Sequence, residues 1–316
     1  MDLTDEQLNE YIDRVLLFGR DDKANYQGQI DFLKRTITNA INTNLSLRVI
    51  KINQAGSWRK GTALFPAGGQ EIDIDLVVYL DVEEADRGHV EHLHALIEGL
   101  LRQAYPNKPS TDFRPSTKTV GIEFRTTGLL ADLVPVIPIV GLDGYVWQPE
   151  RGGGGSFQTS PEGQLDFIRT VKEADTRFTQ VVRLAKRWRN YAELEGLSSF
   201  AIELIVARLN QTRGPPSSIN AGFIRFLLYL TQSELRDVIT FPRAIRRIPD
   251  TATPVRIHDP TNNENNVTAR MTEQHRVAAV RAAHDGLQAV NHAISIGRKG
   301  DTVAQWQQVL GPQFFI

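Results

Sequence analysis

"EIDIDLVVYLD", residues 71–81, is the clearest strand in this 316-residue sequence. Successive side chains of a strand alternate between its faces, so Asp73 and Asp75 share one face while the aliphatic residues between them point into a core. The apolar run that follows indicates a central strand. Two close carboxylates repel each other unless a cation lies between them, so the motif predicts a Mg²⁺ site. The alternative is a solvated edge strand that carries two surface acids.

A third aspartate lies in a second apolar strand pattern, "LLADLVPVIP" at residues 129–138. A two-metal phosphoryl-transfer site requires a further carboxylate, and Asp132 fits that role. We predict that Asp73 and Asp75 bridge two Mg²⁺ ions, for which Mn²⁺ is a substitute. Asp132 would complete one metal site and help to deprotonate an attacking hydroxyl. The alternative for Asp132 is a buried carboxylate satisfied by backbone N–H groups.

A glycine-serine pair precedes the acidic strand in "QAGSWRKGTAL", residues 54–64. Its two glycines have P-loop spacing, but Thr62 and Ala63 stand where that motif needs lysine and a hydroxyl residue. We predict instead that Gly56 lets the backbone approach a phosphate. Ser57 would offer its hydroxyl and cap a following helix, whose amides would point at the anion.

Composition indicates an ordinary soluble globular protein, with 41% hydrophobic and 23% charged residues and no cysteine. The acidic start lacks the apolar segment of a signal peptide, and no apolar run is long enough to span a membrane, so we expect a cytoplasmic protein. Residues 1–150 carry 15 basic and 22 acidic side chains, whereas residues 151–316 carry 21 and 15. This asymmetry suits metal-binding carboxylates that face a phosphate-binding wall, although chance segregation of surface charge explains it equally well.

Hydrophobic periodicity predicts an α+β chain with two lobes. Strands and helices alternate up to a Gly/Pro-rich stretch at 141–164, which we interpret as a break containing a hinge or rim loop. The predicted domains are therefore 1–150, the catalytic lobe, and 151–316, a helical nucleotide-binding lobe, with N-terminal helices that span both. Beyond the break the pattern predicts helices at 161–174, 176–192, 198–209, 217–231 and 268–293.

The combination of Gly-Ser, D-x-D and a third strand aspartate resembles the DNA polymerase β-like nucleotidyltransferases. The blocks "VVRLAKRWR", "LSSFAIEL" and "HDPTNNENNV" narrow the resemblance to bacterial cGAS/DncV-like nucleotidyltransferases, the CD-NTases of CBASS anti-phage systems. The likeness is greatest to the HORMA-associated clade C, and it extends from about residue 50 to the C-terminus. It implies an OAS/cGAS-like, bilobed cage in which a lobe with a mixed central sheet packs against a mostly helical lobe.

The resemblance also implies an activity and further site residues. The enzyme would join nucleoside triphosphates, mainly ATP, into a cyclic oligonucleotide second messenger such as cyclic tri-adenylate, releasing pyrophosphate. Lys186 would contact the triphosphate with Ser199 nearby, and Asn265 and Asn266 would line the nucleotide pocket. A HORMA-domain protein is the implied activator, nucleic acid is possible only as an activator, and no membrane partner is expected. Lys186 as a solvated helix lysine, and the asparagines as turn residues, are the alternatives.

Other functions remain open at this level. A template-independent RNA 3′-end nucleotidyltransferase would use the same scaffold, although the absence of an appended basic domain disfavours it. A cyclic dinucleotide is an alternative product, an antibiotic nucleotidyltransferase a weaker rival, and a non-catalytic binding module would not need three repelling carboxylates. The histidines at 89, 92 and 94 do not share one helix face, so we predict no zinc site. Trp58 is expected either to stack on a base or to pack, and Arg243, Arg246 and Arg247 either to bind a partner or to be solvated.

Overall fold

The apolar run at residues 72–81 forms a strand at the centre of a mixed sheet. The computed structural model describes residues 1–44, 47–65, 72–82, 92–153 and 155–316. Within these ranges the sheet contains seven strands: β1 (Arg48–Gln54), β2 (Ile72–Asp81), β3 (Phe113–Pro115), β4 (Val120–Phe124), β5 (Leu129–Pro138), β6 (Val146–Pro149) and β7 (Ser156–Thr159).

Strand order places the two acidic strands side by side. The order is β1–β2–β5–β4–β3, with β6 paired to the end of β5 and β7 paired to β6. Strands β2 and β5 run parallel, whereas the other pairs in this sheet are antiparallel. This mixed sheet confirms the predicted α+β class.

Side chains of β2 follow the predicted alternation. Ile72, Ile74 and Leu76 are buried, while Asp73 is exposed and Asp75 lies between these extremes. The residues that follow, 77–80, are all buried, as expected for a central strand covered on both faces. Helices α2 (Arg20–Asn44) and α4 (Leu93–Ala104) pack on each other, and α2 also contacts β1. With the sheet they belong to one compact unit, the sheet unit, formed by Phe18–Arg59 and the described residues from Ile72 to Leu165.

A second compact unit, the helical unit, comprises Met1–Leu17, Lys60–Phe65 and Asp166–Ile316. The second of these segments begins at Lys60, which is also the last residue of a short helix, α3 (Gly56–Lys60). The other helices are α1 (Asp5–Tyr11), followed by a π-helical turn at Ile12–Leu16, then α5 (Pro161–Ala174, in this unit from Asp166), α6 (Phe178–Tyr191), α7 (Ser199–Arg213), α8 (Ile219–Ser233), α9 (Glu273–Ile296) and α10 (Lys299–Leu310). No described helix has the length and apolar character needed to cross a membrane.

Large aromatic side chains fill the core of the helical unit. Trp188 and Phe226 meet edge to face with ring centroids 5.8 Å apart, and Phe223 packs on Trp306. Side-chain caps fix where the helices begin: the hydroxyls of Ser198, Ser218 and Thr272 accept backbone N–H groups at the starts of α7, α8 and α9. Two parallel two-residue strands, β8 (Val238–Ile239) and β9 (Arg256–Ile257), complete the unit.

The Gly/Pro-rich stretch contains a strand pair that the sequence did not predict. Strands β6 and β7 pair within it because the glycines between them, such as Gly152 and Gly155 with positive φ, let the chain reverse. The compact units change between Leu165 and Asp166, later than the predicted domain boundary at residue 150, since this strand pair belongs to the sheet unit. Helix α10 was not predicted, and Gly154 lies outside the described residues.

Candidate active site

Three aspartates converge on one face of the sheet. The parallel register sets Asp75 opposite Asp132. Asp73 lies two residues before Asp75 on the same strand, so both point to the same face. One carboxylate oxygen from each of the three lies within 4.8 Å of the others. Among the described residues this is the group that offers a metal three or more acidic or histidine ligands. The structure thus brings together the three residues that the sequence singled out for metal binding.

Electrostatics within this cluster disfavour three ionised carboxylates. Burial, followed by the charge of Asp75, raises the pKa of Asp132 from 3.8 to about 6, although a hydrogen bond from Thr119 and the charge of Arg114 oppose the change. A divalent cation would relieve this repulsion. Carboxylate oxygens are the ligands that hard cations such as Mg²⁺ prefer, so the donor set fits such an ion.

Gly56 packs directly against this cluster. Its φ is +61°, and a Cβ at this position would lie 1.8 Å from Asp75 Oδ2. Just before it, the amide of Ala55 donates to the carbonyl of Asp75 at 2.9 Å. Only glycine fits so close to the carboxylate, so the start of α3 is held against the acidic strand. The predicted approach of this backbone to a phosphate stays a prediction.

Ser57 does not cap α3, contrary to the sequence prediction. The helix begins one residue earlier, at Gly56, so that Ser57 lies inside its first turn. A capping residue must precede the helical residues, because its side chain accepts their N–H groups. The predicted contact between the Ser57 hydroxyl and a phosphate is a separate hypothesis and stays open.

Gly121 is a site residue that sequence reasoning missed. It lies on β4 directly opposite Asp132, where a Cβ would be 2.8 Å from Asp132 Oδ1 and 2.9 Å from the Arg114 carbonyl oxygen. The carboxylate therefore occupies space that any other residue would fill. The signal in the sequence is a glycine in the middle of a strand pattern, which often marks a position where another group lies close to the backbone.

Lys186, the predicted triphosphate contact, is buried in the helical unit. Its Nζ donates to Glu203 Oε1 at 2.7 Å and to Thr62 Oγ1 at 2.8 Å, and only 2% of the residue is exposed. Burial lowers the pKa of Lys186, and the charge of Glu203 opposes this shift. The alternative of an ordinary solvated lysine is therefore wrong. Its predicted contact with the triphosphate stays a prediction.

Ser199 is the first residue of α7, and its hydroxyl accepts a hydrogen bond from Arg189 Nη2 at 3.2 Å. Asn266 is built into its own loop, because its amide donates to Val255 O at 2.9 Å and to Thr253 Oγ1 at 3.0 Å. Asn265 also holds the loop, with its backbone oxygen accepting from the Asp259 amide. These contacts support turn roles for both asparagines, while their nucleotide contacts remain predicted.

Comparison with known proteins decides the family. The CBASS oligonucleotide cyclase CdnC of Escherichia coli (strain KTE188) is 35% identical over 314 residues, which are 99% of this chain and 98% of the relative. This chain belongs to the CdnC family of CBASS oligonucleotide cyclases. A cyclic AMP-AMP-AMP synthase of Escherichia coli (strain MS 115-1) is 35% identical over 271 residues, 82% of each protein.

Solved CdnC structures share the fold along the whole chain. E. coli MS115-1 CdnC with ATP matches with a TM-score of 0.81 at 29% identity, covering 99% of both chains. Its complex with HORMA-deltaN matches with a TM-score of 0.80 at 28% identity, covering 99% of this chain and 98% of that one. The model of the Nrap protein PAP/OAS1-like domain 5 also matches residues 176–294. The CdnC-family chain is accordingly a nucleotidyltransferase that makes a cyclic oligonucleotide, which disfavours the RNA-tailing, antibiotic-modifying and non-catalytic alternatives.

The other residues that the sequence singled out in this CdnC-family chain are Trp58, three histidines and three arginines. Trp58 packs edge to face on Phe18, with ring centroids 5.1 Å apart, which favours packing over base stacking. His94 is buried in α4, whereas the neighbouring histidine at position 89 lies outside the described residues. The arginines 243, 246 and 247 are exposed, and the hypothesis that they bind a partner stays open.

Proposed function

We propose that this CdnC-family enzyme condenses ATP into cyclic tri-adenylate with release of pyrophosphate. The observation that carries the proposal is the convergence of Asp73, Asp75 and Asp132. The substrate and product are supported by the relative that is a cyclic AMP-AMP-AMP synthase and by the related CdnC structure with ATP. We propose a HORMA-domain activator on the same basis, since a related CdnC forms a complex with HORMA-deltaN.

The three carboxylates are assigned to bind Mg²⁺. Bound there, Mg²⁺ would supply Lewis-acid stabilisation of the charge that develops at the α-phosphate. Asp132 is assigned a second role, as the ionised carboxylate that acts as general base. It would take the proton of the attacking ribose hydroxyl.

Each condensation then balances as a single in-line displacement. The ribose oxygen forms a bond to the α-phosphorus of a second ATP, and the bond from that phosphorus to the bridging oxygen breaks. Pyrophosphate leaves with the electrons of that bond. Two condensations give a linear trimer, and a third between its own ends closes the ring.

A matched pair of variants tests the role of the acidic cluster. Asp73→Asn removes one ligand, whereas Asp81→Asn changes an exposed aspartate at the end of the same strand. With each NTP supplied singly with Mg²⁺, and with the HORMA partner, we expect pyrophosphate release from ATP. Asp73→Asn should reduce the rate at least 100-fold, about 2.7 kcal/mol of lost transition-state stabilisation, while Asp81→Asn stays within twofold. Equal rates in the two variants would overturn the assignment.

A further inference from the structure

Within the helical unit, a buried ion network joins Lys60 and Thr62 to α6 and α7. Glu203, on α7, accepts hydrogen bonds at Oε1 from Thr62 Oγ1 at 2.6 Å and from Lys186 Nζ at 2.7 Å. Its other oxygen, Oε2, lies 3.0 Å from Lys60 Nζ. Each of these four residues is at most 8% exposed. One carboxylate therefore gathers two ammonium groups and a hydroxyl away from water.

The network has few alternatives to its present pairing. Lys186 Nζ contacts Glu203 Oε1, Thr62 Oγ1 and, at 3.3 Å, Thr62 O, which matches the three donors of an ammonium group. Lys60 Nζ also lies 3.8 Å from the centre of the Phe200 ring. Burial raises the pKa of Glu203, but the two lysines outweigh this effect and hold the pKa below its usual range. Loss of this charge would leave two buried ammonium groups facing each other, which is costly.

Three successive carbonyl oxygens in the same segment each accept from a cationic side chain. Lys172 Nζ donates to Lys60 O at 3.0 Å, Arg183 Nη2 to Gly61 O at 2.8 Å, and Lys186 Nζ to Thr62 O. Lys60 is the last residue of α3, where unpaired carbonyl oxygens and the helix dipole favour cations. The segment is thus fixed through its backbone as well as through its side chains.

We propose that Glu203 is a positioning residue that fixes residues 60–62, and through them the end of α3, for nucleotide binding. The inference rests on the proposed function, because α3 begins at Gly56 and Ser57, the residues predicted to approach a phosphate. Gly56 is held at the start of this five-residue helix by its close packing on Asp75. Glu203 holds the other end. A loosened end would displace the whole short helix, since one turn has no independent stability.

Hydroxyl removal at Thr62 provides the sharpest test, because Thr62→Val keeps the shape and Thr62→Ser keeps the hydroxyl.

A second pair of variants tests the central charge. Glu203→Gln removes it, and Glu273→Gln is the control for loss of a glutamate in the same unit, since Glu273 pairs with the buried Arg276 at 2.6 Å. For each folded variant, KM for ATP and kcat would be measured. Hydrogen–deuterium exchange of the peptide covering residues 55–65 gives a second readout that needs no activity.

We expect KM to rise about tenfold in Thr62→Val and in Glu203→Gln, with exchange at 55–65 accelerated in both. Thr62→Ser and Glu273→Gln should stay within twofold of the wild type in KM and should not change this exchange. Unchanged exchange in Thr62→Val, or faster exchange with unchanged KM and kcat, would overturn the positioning role. If the wild type converts no NTP, the proposed function fails, and the exchange comparison alone decides whether Glu203 fixes the segment.

Discussion

Replacing Asp132 with asparagine should stabilise the metal-free protein while removing its activity. The folded state binds the Asp132 proton more tightly than the unfolded state, because burial and Asp75 raise the pKa of this carboxyl from 3.8 to about 6. The contribution of Asp132 to the free energy of unfolding therefore falls as the pH rises through this window, and the penalty is complete above it. A neutral amide at position 132 removes the penalty.

The expected gain follows from the two pKa values. At about 1.4 kcal/mol per pKa unit, the penalty is at most about 3 kcal/mol above pH 6. The side chain is only partly buried, so solvent screening reduces the expected gain to roughly 1–2 kcal/mol. Urea denaturation at pH 7.5 in EDTA measures it, with Asp143→Asn, at an exposed loop position, as the control.

Added Mg²⁺ should reverse the order of stability. An ion that binds the folded state stabilises it in proportion to its affinity, and Asp132→Asn loses one of three ligands. The free energy of unfolding of the wild type should therefore increase more than that of the variant when Mg²⁺ is added to about 10 mM. A variant less stable than the wild type in EDTA at pH 7.5, or a stability gain of the variant that does not grow as the pH rises from 4 to 6, would refute the electrostatic reasoning.

Three further predictions concern glycines and the core. Gly56→Ala should abolish turnover and weaken Mg²⁺-induced stabilisation in a thermal shift assay, because its Cβ would collide with Asp75 Oδ2; full activity would contradict the close packing. Gly28 is exposed in α2, and an added Cβ would meet open space, so Gly28→Ala should raise the free energy of unfolding measured in urea by about 0.5–1 kcal/mol. A lower free energy of unfolding in this variant would argue against a helix at this position. Trp188→Ala should cost about 3–5 kcal/mol in the same measurement, since this side chain is 2% exposed; a cost below 1 kcal/mol would argue against its place in the core.

Local patterns in the sequence were sufficient for the acidic strands. The alternation around Asp73 and Asp75 predicted both their shared face and the central position of the strand, because strand periodicity is exact and apolar flanks are costly to expose. Their proximity to Asp132 was inferred from the chemistry that a two-metal site needs and from family resemblance, since nothing in either strand states which strand is its neighbour.

Long-range partners were beyond sequence reasoning. Glu203 and Thr62 are 141 residues apart, and each looks ordinary in its own segment. Likewise, β6 and β7 were missed because each is stabilised by pairing at the sheet edge and not by its own periodicity. Serine is favoured as a cap, so the sequence predicts that role for Ser57, whereas α3 begins one residue earlier, at Gly56, which packs closely on Asp75.

Mass spectrometry of the product tests the central claim most directly. Purified protein would be incubated with ATP and Mg²⁺, with and without the proposed HORMA-domain activator, and the products treated with phosphatase before analysis. We predict a phosphatase-resistant species with the mass of three AMP units lacking free ends, absent in Asp73→Asn; nuclease digestion would then assign 3′-5′ or 2′-5′ linkages. A cyclic dinucleotide would correct the ring size, and only linear, phosphatase-sensitive oligonucleotides would contradict cyclisation.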